Sequence, residues 1–485
     1  MNVTLAIGVL GMLVIAAIGF YGRRQPVKDM DEWAVAGRKF GVMTTWVLQA
    51  GETFTTFTFL GTVGLVVSLG ASAFYCIPYI PLAYLVMYWI APKLWRRAKA
   101  AGYVTQSDFL RGSYNSPTLG FLSAVFGIIF LLPYLQLQIT GLGLIVRAAT
   151  GGAADGTISS IVAFVLVIAF VLWSGLHGVA RTSYFKDVLM ILVMLVISIA
   201  IPMHFNGGLD FGLSTIAREM PEMLYVQTGT YGIWWFITSM AISMIGVMFY
   251  ALPHNWPAVL ASRSEKAVRQ NLIYLPIYSA LASIPMLLGY TAIVAFGTDQ
   301  DGDSAMLKMA SEALPPWAMG VVLTAAAATA MVPSAALLIA IAPLAVNNVF
   351  QVKDEKRKFV VNQAVVVVFG LAALVLALSM PNLLGNMLLL TFSGSTQVVP
   401  AIAGALLLKR RLDKASVIAG LCAGVFTVIL LTFAPFDGPD INTGISGLIV
   451  NIAVIAVIEL VIRVRRSVAT PHDPIEIASE AAARA

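Results

Sequence analysis

Apolar residues run in long blocks along nearly the whole chain, separated by short polar stretches that carry most of the charge. Thirteen blocks fall near 3–21, 42–69, 73–92, 118–148, 157–177, 185–203, 232–252, 271–296, 316–346, 362–380, 386–407, 416–434 and 445–463. Each is close to or above the roughly 20 residues a helix needs to cross a bilayer. They are numbered here as segments one to thirteen. The pattern predicts an all-α integral membrane protein with thirteen transmembrane helices, one polytopic domain over 1–466 and a short cytoplasmic tail over 467–485. That polar, alanine-rich tail is expected to be poorly ordered.

Charge gives the orientation. With the loops taken alternately, 27 of the 30 Lys and Arg residues fall on one side, and only Arg147, Arg218 and Lys308 on the other. Basic loops stay cytoplasmic, so the N-terminus is expected outside and the tail inside. Met1 to Tyr21 lacks a basic leader and reads as the first span rather than a cleaved signal.

Composition agrees and excludes several classes. Hydrophobic residues make up 59%, charged residues 11%, and mean hydropathy is +0.87, against about 25% charge in soluble domains. The pI of about 9.2 therefore reads as topology, not as nucleic-acid binding. Cys76 and Cys422 both lie in apolar segments, which argues against a disulfide framework or a paired-cysteine metal site. No phosphate loop, HExxH or GxSxG motif is present, so an ATP-driven pump or a membrane protease has no machinery. The chain reads as a transporter and not an enzyme, with no cofactor. Its partners are a small organic solute and the lipid bilayer, with no nucleic acid and no obligate protein partner. A transporter-like solute sensor is the rival from another class, but it would need an output module that the short tail does not supply.

The densest chemistry is in segment two, at Gln49-Ala50-Gly51-Glu52-Thr53-Phe54-Thr55-Thr56. A carboxylate at bilayer depth costs about 2.5–3.5 kcal/mol on insertion scales and normally faces a partner or a water-filled cavity. About 30 residues of helix would span about 45 Å, longer than a hydrocarbon core of about 30 Å. A break at Ala50-Gly51 is expected, with freed backbone groups lining a cavity. Gln49, Glu52, Thr53 and Thr56 share one helical face.

Other patches are weaker. Segment nine carries Thr324 to Ser334, with Thr329, Val332 and Pro333, and reads equally as close packing or as part of a site. Segment seven ends in Pro253-His254-Asn255-Trp256-Pro257, where His254 reads first as a turn cap and second as a proton relay. Tyr134 and Gln138 share a face of segment four, and Ser393 to Pro400 interrupts segment eleven. Lys186-Asp187 opens segment six and reads as a snorkelling lysine at the cytoplasmic face, or as a cation beside an ion route. External loops 204–231 and 297–315 hold helix-like pieces such as Leu213 to Met223, candidates for lids. The acidic run Asp299 to Asp303 lacks the last ligand of a calcium loop and is expected to be a solvated turn.

Several motifs, in order, resemble the sodium/solute symporter family. They are Ala36-Gly37-Arg38, Val104-Thr105-Gln106-Ser107-Asp108-Phe109-Leu110-Arg111, Gly175-Leu176-His177-Gly178-Val179, Pro253-His254 with Arg263, and Gln397-Val398-Val399-Pro400. The wording around Gly51-Glu52, Tyr134 with Gln138, Lys186-Asp187 and Met331-Val332-Pro333 is most similar to the bacterial monocarboxylate permease branch. The resemblance implies a LeuT-type core of two inverted five-helix repeats, about 41–203 and 232–407. It also implies uptake driven by a sodium gradient across a bacterial inner membrane. Within the family, sodium is held by carbonyls of the broken helix and a hydroxyl pair in segment nine. Here Glu52 and Thr55 face Thr329, Val332 and Pro333, and the hydroxyl pair is replaced by Val332-Pro333, which offers sodium no side-chain oxygen. The coupling ion is left as sodium or a proton, with Glu52, Thr55, Thr329 and Lys186 as the ion-coupling candidates. Gln49, Thr53, Thr56, Tyr134, Gln138, Trp235, Thr396 and Gln397 are the expected residues binding a small organic solute, a monocarboxylate in the leading reading. A sodium-coupled amino-acid or vitamin symporter is the rival within transport.

Overall fold

The computed structural model describes residues 3–22, 30–380, 384–434 and 440–469. The basic residues between 23 and 28 and the tail from 470 onward lie outside the described residues. Among the described residues the chain is helical, and its only strand-like feature is an isolated bridge between Phe40 and Ser262. Nine of the described helices are long and apolar enough to cross a membrane, or ten if the bent pair Pro221–Tyr231 and Ile233–Met248 forms one span.

The difference from thirteen apolar segments has local causes. Segments five and six lie in one 51-residue stretch, Gly156–Asn206, that turns at Gly175 with φ 55°, a conformation that only glycine adopts without strain. The outer half of segment two runs into segment three over Phe57–Ala101. Segment one folds as the 20-residue helix Val3–Gly22, of which Val3–Gly19 is counted as a shorter apolar helix. Segment seven is the 16-residue helix Ile233–Met248, followed by Tyr250 at φ 55°.

Segment nine is the axis of the molecule. Its membrane stretch within Pro316–Val349 is wholly buried, packed against segments one and four and the Gly156–Asn206 helix. Small residues make this possible, because Ala325 to Ala328 keep the helix thin. Segment one comes so close that a Cβ on Gly11 would lie 2.1 Å from Thr324 Oγ1. On the periphery Val188, Leu192, Leu195, Val196 and Ile199 form one exposed apolar stripe of segment six, the face a helix turns to lipid.

One rim, the side with Phe40 and Ser262, is closed by backbone bonds together with two side chains. Phe40 N donates to Ala261 O at 2.9 Å and Arg263 N donates to Phe40 O at 2.8 Å. Arg38 Nη2 donates to Tyr103 O at 2.7 Å, and Gln106 Nε2 donates to the carbonyls of Tyr250 and Ala251 at 2.8 and 2.9 Å. These contacts join the entry of segment two to the exit of segment seven.

At the opposite end the loop helix Gly302–Ala313 crosses the outer half of segment two. A Cβ on Gly302 would lie 2.8 Å from Gly64 Cα. Asp303, expected in a solvated turn, is instead buried, and its Oδ2 accepts the Leu384 N–H at 2.9 Å. The reason is positional: the turn ends at Asp301, and Asp303 already belongs to the helix that packs against segment two.

Candidate functional site

Segment two is interrupted, three residues later than expected. The helix Val42–Thr53 passes through Gly51 and Glu52 and ends at Phe54, whose φ and ψ of −93° and 95° are extended. Gly51 serves a close approach instead, since a Cβ there would lie 2.9 Å from Ser183 Oγ and 3.6 Å from Val332 Cγ1. Threonines hold the break. Thr55 N donates to Thr58 Oγ1 at 3.4 Å, and Thr58 Oγ1 donates to Thr53 O at 3.0 Å. The chain then resumes through the wide turn Phe57–Gly61 into Thr62–Leu69.

In an unbroken helix Gly51 O would accept the Thr55 N–H. That donor is diverted to Thr58, so a different group takes the carbonyl. The Lys186 ammonium donates to both Gly51 O and Phe54 O. Lys186 is fully buried, which corrects the snorkelling expectation. Segment six restarts at the Gly175 turn, well before the apolar pattern suggests, so Lys186 stands about 16 Å along it. Its Nζ lies 3.8 Å from Asp187 Oδ1, which also accepts the Tyr278 hydroxyl at 3.2 Å. Asp187 Oδ2 and Glu52 Oε1 are buried without a hydrogen-bond partner.

Beside the break is a cavity of about 80 Å³. Gln49, Glu52, Thr53 and Thr55 form one wall and Tyr134 another. Tyr79, Tyr84, Met87 and Phe392 close it on the apolar side, and His254 and Asn255 lie at its inner end. Gln49 Oε1 accepts from Asn271 Nδ2. Thr53 Oγ1 donates to Gln49 O at 2.9 Å and lies 3.1 Å from the Tyr84 hydroxyl. The His254 ring meets Tyr134 edge-on at 5.2 Å, and its side chain makes no helix-capping bond.

The other expected residues lie elsewhere. Thr56 Oγ1 donates to Gln138 Oε1 at 2.6 Å, joining segments two and four behind the cavity. Trp235 sits in the first turn of segment seven between Tyr75 and Tyr231, with centroids at 5.2 and 5.0 Å. Thr396 packs on Gly246, and Gln397 Nε2 donates to Ser393 O and Gly444 O at 3.0 and 2.9 Å, tying segment eleven to segment thirteen. Thr329 turns its hydroxyl to Ala326 O at 2.7 Å within its own helix. Segment three supplies a wall that no motif marked, although Ile80, Tyr84 and Met87 follow the i, i+4, i+7 spacing of one helical face.

The sequence profile of the sodium:solute symporter family matches residues 33–428. The chain belongs to that family. An uncharacterized symporter of Bacillus subtilis, YhjB, is 33% identical across 97% of this chain and 99% of its own. A monocarboxylate transport permease protein of Rhizobium johnstonii is 28% identical over 71% of this chain and 70% of its own. The substrate-bound, outward-open structure of a Na+-coupled sialic acid symporter superposes with a TM-score of 0.77. It covers 95% of this chain and 98% of its own at 17% identity, which shows a shared LeuT-type fold. This family member is thus a transporter and not an enzyme. It is a multi-pass membrane symporter that moves a small solute with a coupling cation, and the family's ion is sodium.

Proposed function

We propose that this symporter imports a small monocarboxylate through the cavity at the break in segment two. The observation that carries the reading is the cavity itself. It is small, polar along segment two and aromatic opposite, which suits an acid of a few carbons better than a sugar-sized solute. The relative named as a monocarboxylate permease supports the same class. In this reading the solute carboxylate faces Thr55, Thr58 and the start of the outer half-helix, where the helix dipole is positive. The hydrocarbon end lies against Tyr79 and Phe392. Gln49, Thr53 and Tyr134 orient the solute, while Thr56, Gln138, Trp235, Thr396 and Gln397 act through packing around it.

Glu52 shares this space, and two carboxylates in one enclosed site need a proton or a cation between them. Glu52 therefore couples solute to ion. The wider architecture proposed is thirteen spans in one domain over 1–466, with inverted repeats at about 41–203 and 232–407. The N-terminus faces outward and the tail faces the cytoplasm, and transport proceeds by alternating access.

Uptake of labelled propionate or pyruvate into proteoliposomes tests this. Saturable accumulation is expected in the wild type and is expected to be lost in Glu52→Gln at equal membrane insertion. Failure of every short monocarboxylate to compete would remove the substrate assignment.

A further inference from the structure

The residues around the break do not fit sodium. The two carbonyls that the interruption leaves near segment nine, those of Gly51 and Phe54, already accept from Lys186. The facing positions Val332 and Pro333 carry no side-chain oxygen, and Thr329 and Ser334 donate to Ala326 O and Ala330 O of their own helix at 2.7 and 2.6 Å. A positive charge is already in place, attached to segment six.

The charges around Lys186 can be counted. Among the described residues, Glu52 and Asp187 are the acidic groups within its electrostatic reach. Segment eight contributes the Tyr278 hydroxyl on Asp187, and segments three and four contribute Tyr84 and Tyr134 toward Glu52. Segment nine contributes no titratable side chain over Pro316–Pro343. One ammonium and two carboxylates sum to one negative charge, held where all three groups are buried. A buried net charge is costly, and one added proton removes it. An unpartnered oxygen stands ready on each acid, Glu52 Oε1 and Asp187 Oδ2. Of the three groups, Glu52 alone lines the cavity, while Asp187 follows Lys186 in segment six behind the break.

We propose that Lys186 is a built-in cation standing where the family binds sodium, and that the Glu52–Lys186–Asp187 set carries one proton per cycle, so that uptake is coupled to protons and needs no sodium. The proton enters from the outer solution through the cavity, rests on the set as a whole and leaves to the cytoplasm. No covalent bond between heavy atoms changes. The inference rests on the transporter reading of the cavity but not on which solute it takes.

The decisive experiment has a solute-free arm and a transport arm. Thermal unfolding of the purified wild type is compared in sodium and potassium chloride at equal ionic strength, and equal midpoints are expected. A sodium-specific rise would overturn the proposal whatever the solute. In proteoliposomes with pyruvate, an acid too strong to cross bare lipid readily in its neutral form, an inward pH gradient of one unit in sodium-free buffer is expected to drive about tenfold accumulation, the limit for one proton per solute, with none in protein-free liposomes. An added sodium gradient is expected to change nothing. Lys186→Met and Glu52→Gln are each expected to abolish the dependence on the pH gradient, and the second variant decides if the first does not fold. Sodium-dependent accumulation in the wild type would refute the proposal. Absence of pyruvate transport under every gradient would count against the monocarboxylate assignment and leave the unfolding comparison to decide this one.

Discussion

Asp303 allows a quantitative prediction about the end of the transporter opposite the Phe40 seam. Its carboxyl is held between the loop helix Gly302–Ala313, Gly64 of segment two and the first residues of segment eleven. Burial pushes this carboxyl up from the usual 3.8 to about 7, the Leu384 N–H lowers it somewhat, and nearby Asp301 raises it again. Between those two values the closed junction binds more protons than an opened or unfolded one. Stability is therefore fully present below about pH 4, falls through the window and reaches its lower level above about pH 7. Each pH unit inside that window is worth about 1.4 kcal/mol, so moving from pH 5.5 to 7.5 should cost ~2 kcal/mol at this site. Asp303→Asn keeps an acceptor for Leu384 N and removes the charge. It leaves an amide N–H close to Gly64 without an evident acceptor, a penalty of about 1–3 kcal/mol that does not depend on pH. Absolute stability is therefore the wrong readout and the pH slope is the right one. Thermal unfolding scans of both proteins across this range should show the wild type losing more stability than the variant. Equal slopes, or a wild type that gains stability with pH, would refute the reasoning.

Two further outcomes follow from the packing. Gly51→Ala places a methyl 2.9 Å from Ser183 Oγ, an overpacking cost of about 1–3 kcal/mol. Its midpoint and uptake should both fall, and adding Ser183→Gly should recover part of each; a neutral Gly51→Ala would show that the two helices are not in close contact. Tyr79 and Phe392 meet edge-on at 5.7 Å across the apolar side of the cavity. Phe392→Ala should shift competition profiles from propionate toward acids two to four carbons longer, and an unchanged profile would place the solute elsewhere.

Much of this was legible because membrane insertion is a severe filter. A glutamate in the middle of an apolar segment had to face a cavity or a partner, and Glu52 does line one. The exact point of interruption was not legible. Glycine marks helix breaks and close helix approaches alike, and Gly51 serves the second purpose while the chain opens at Phe54. Lys186 looked interfacial because hydropathy cannot register a helix restarting at Gly175, and a turn at φ 55° leaves no apolar signature. Asp303 was hidden among other acids, since its burial depends on Gly64 far away in the sequence. Tyr79 and Tyr84 carry no mark in the sequence, because nothing local distinguishes a cavity wall from a core.

The seam between Phe40 and residues 261 and 263 has a consequence for how such a chain can diverge. Its two bonds are made wholly by main-chain atoms, so every amino acid except proline can supply them. Substitutions that reshape the cavity for a new solute leave that inner closure untouched. With the solute site proposed above, selectivity and this main-chain seam sit on separate parts of the polypeptide, and a lineage can change what it carries while keeping the seam.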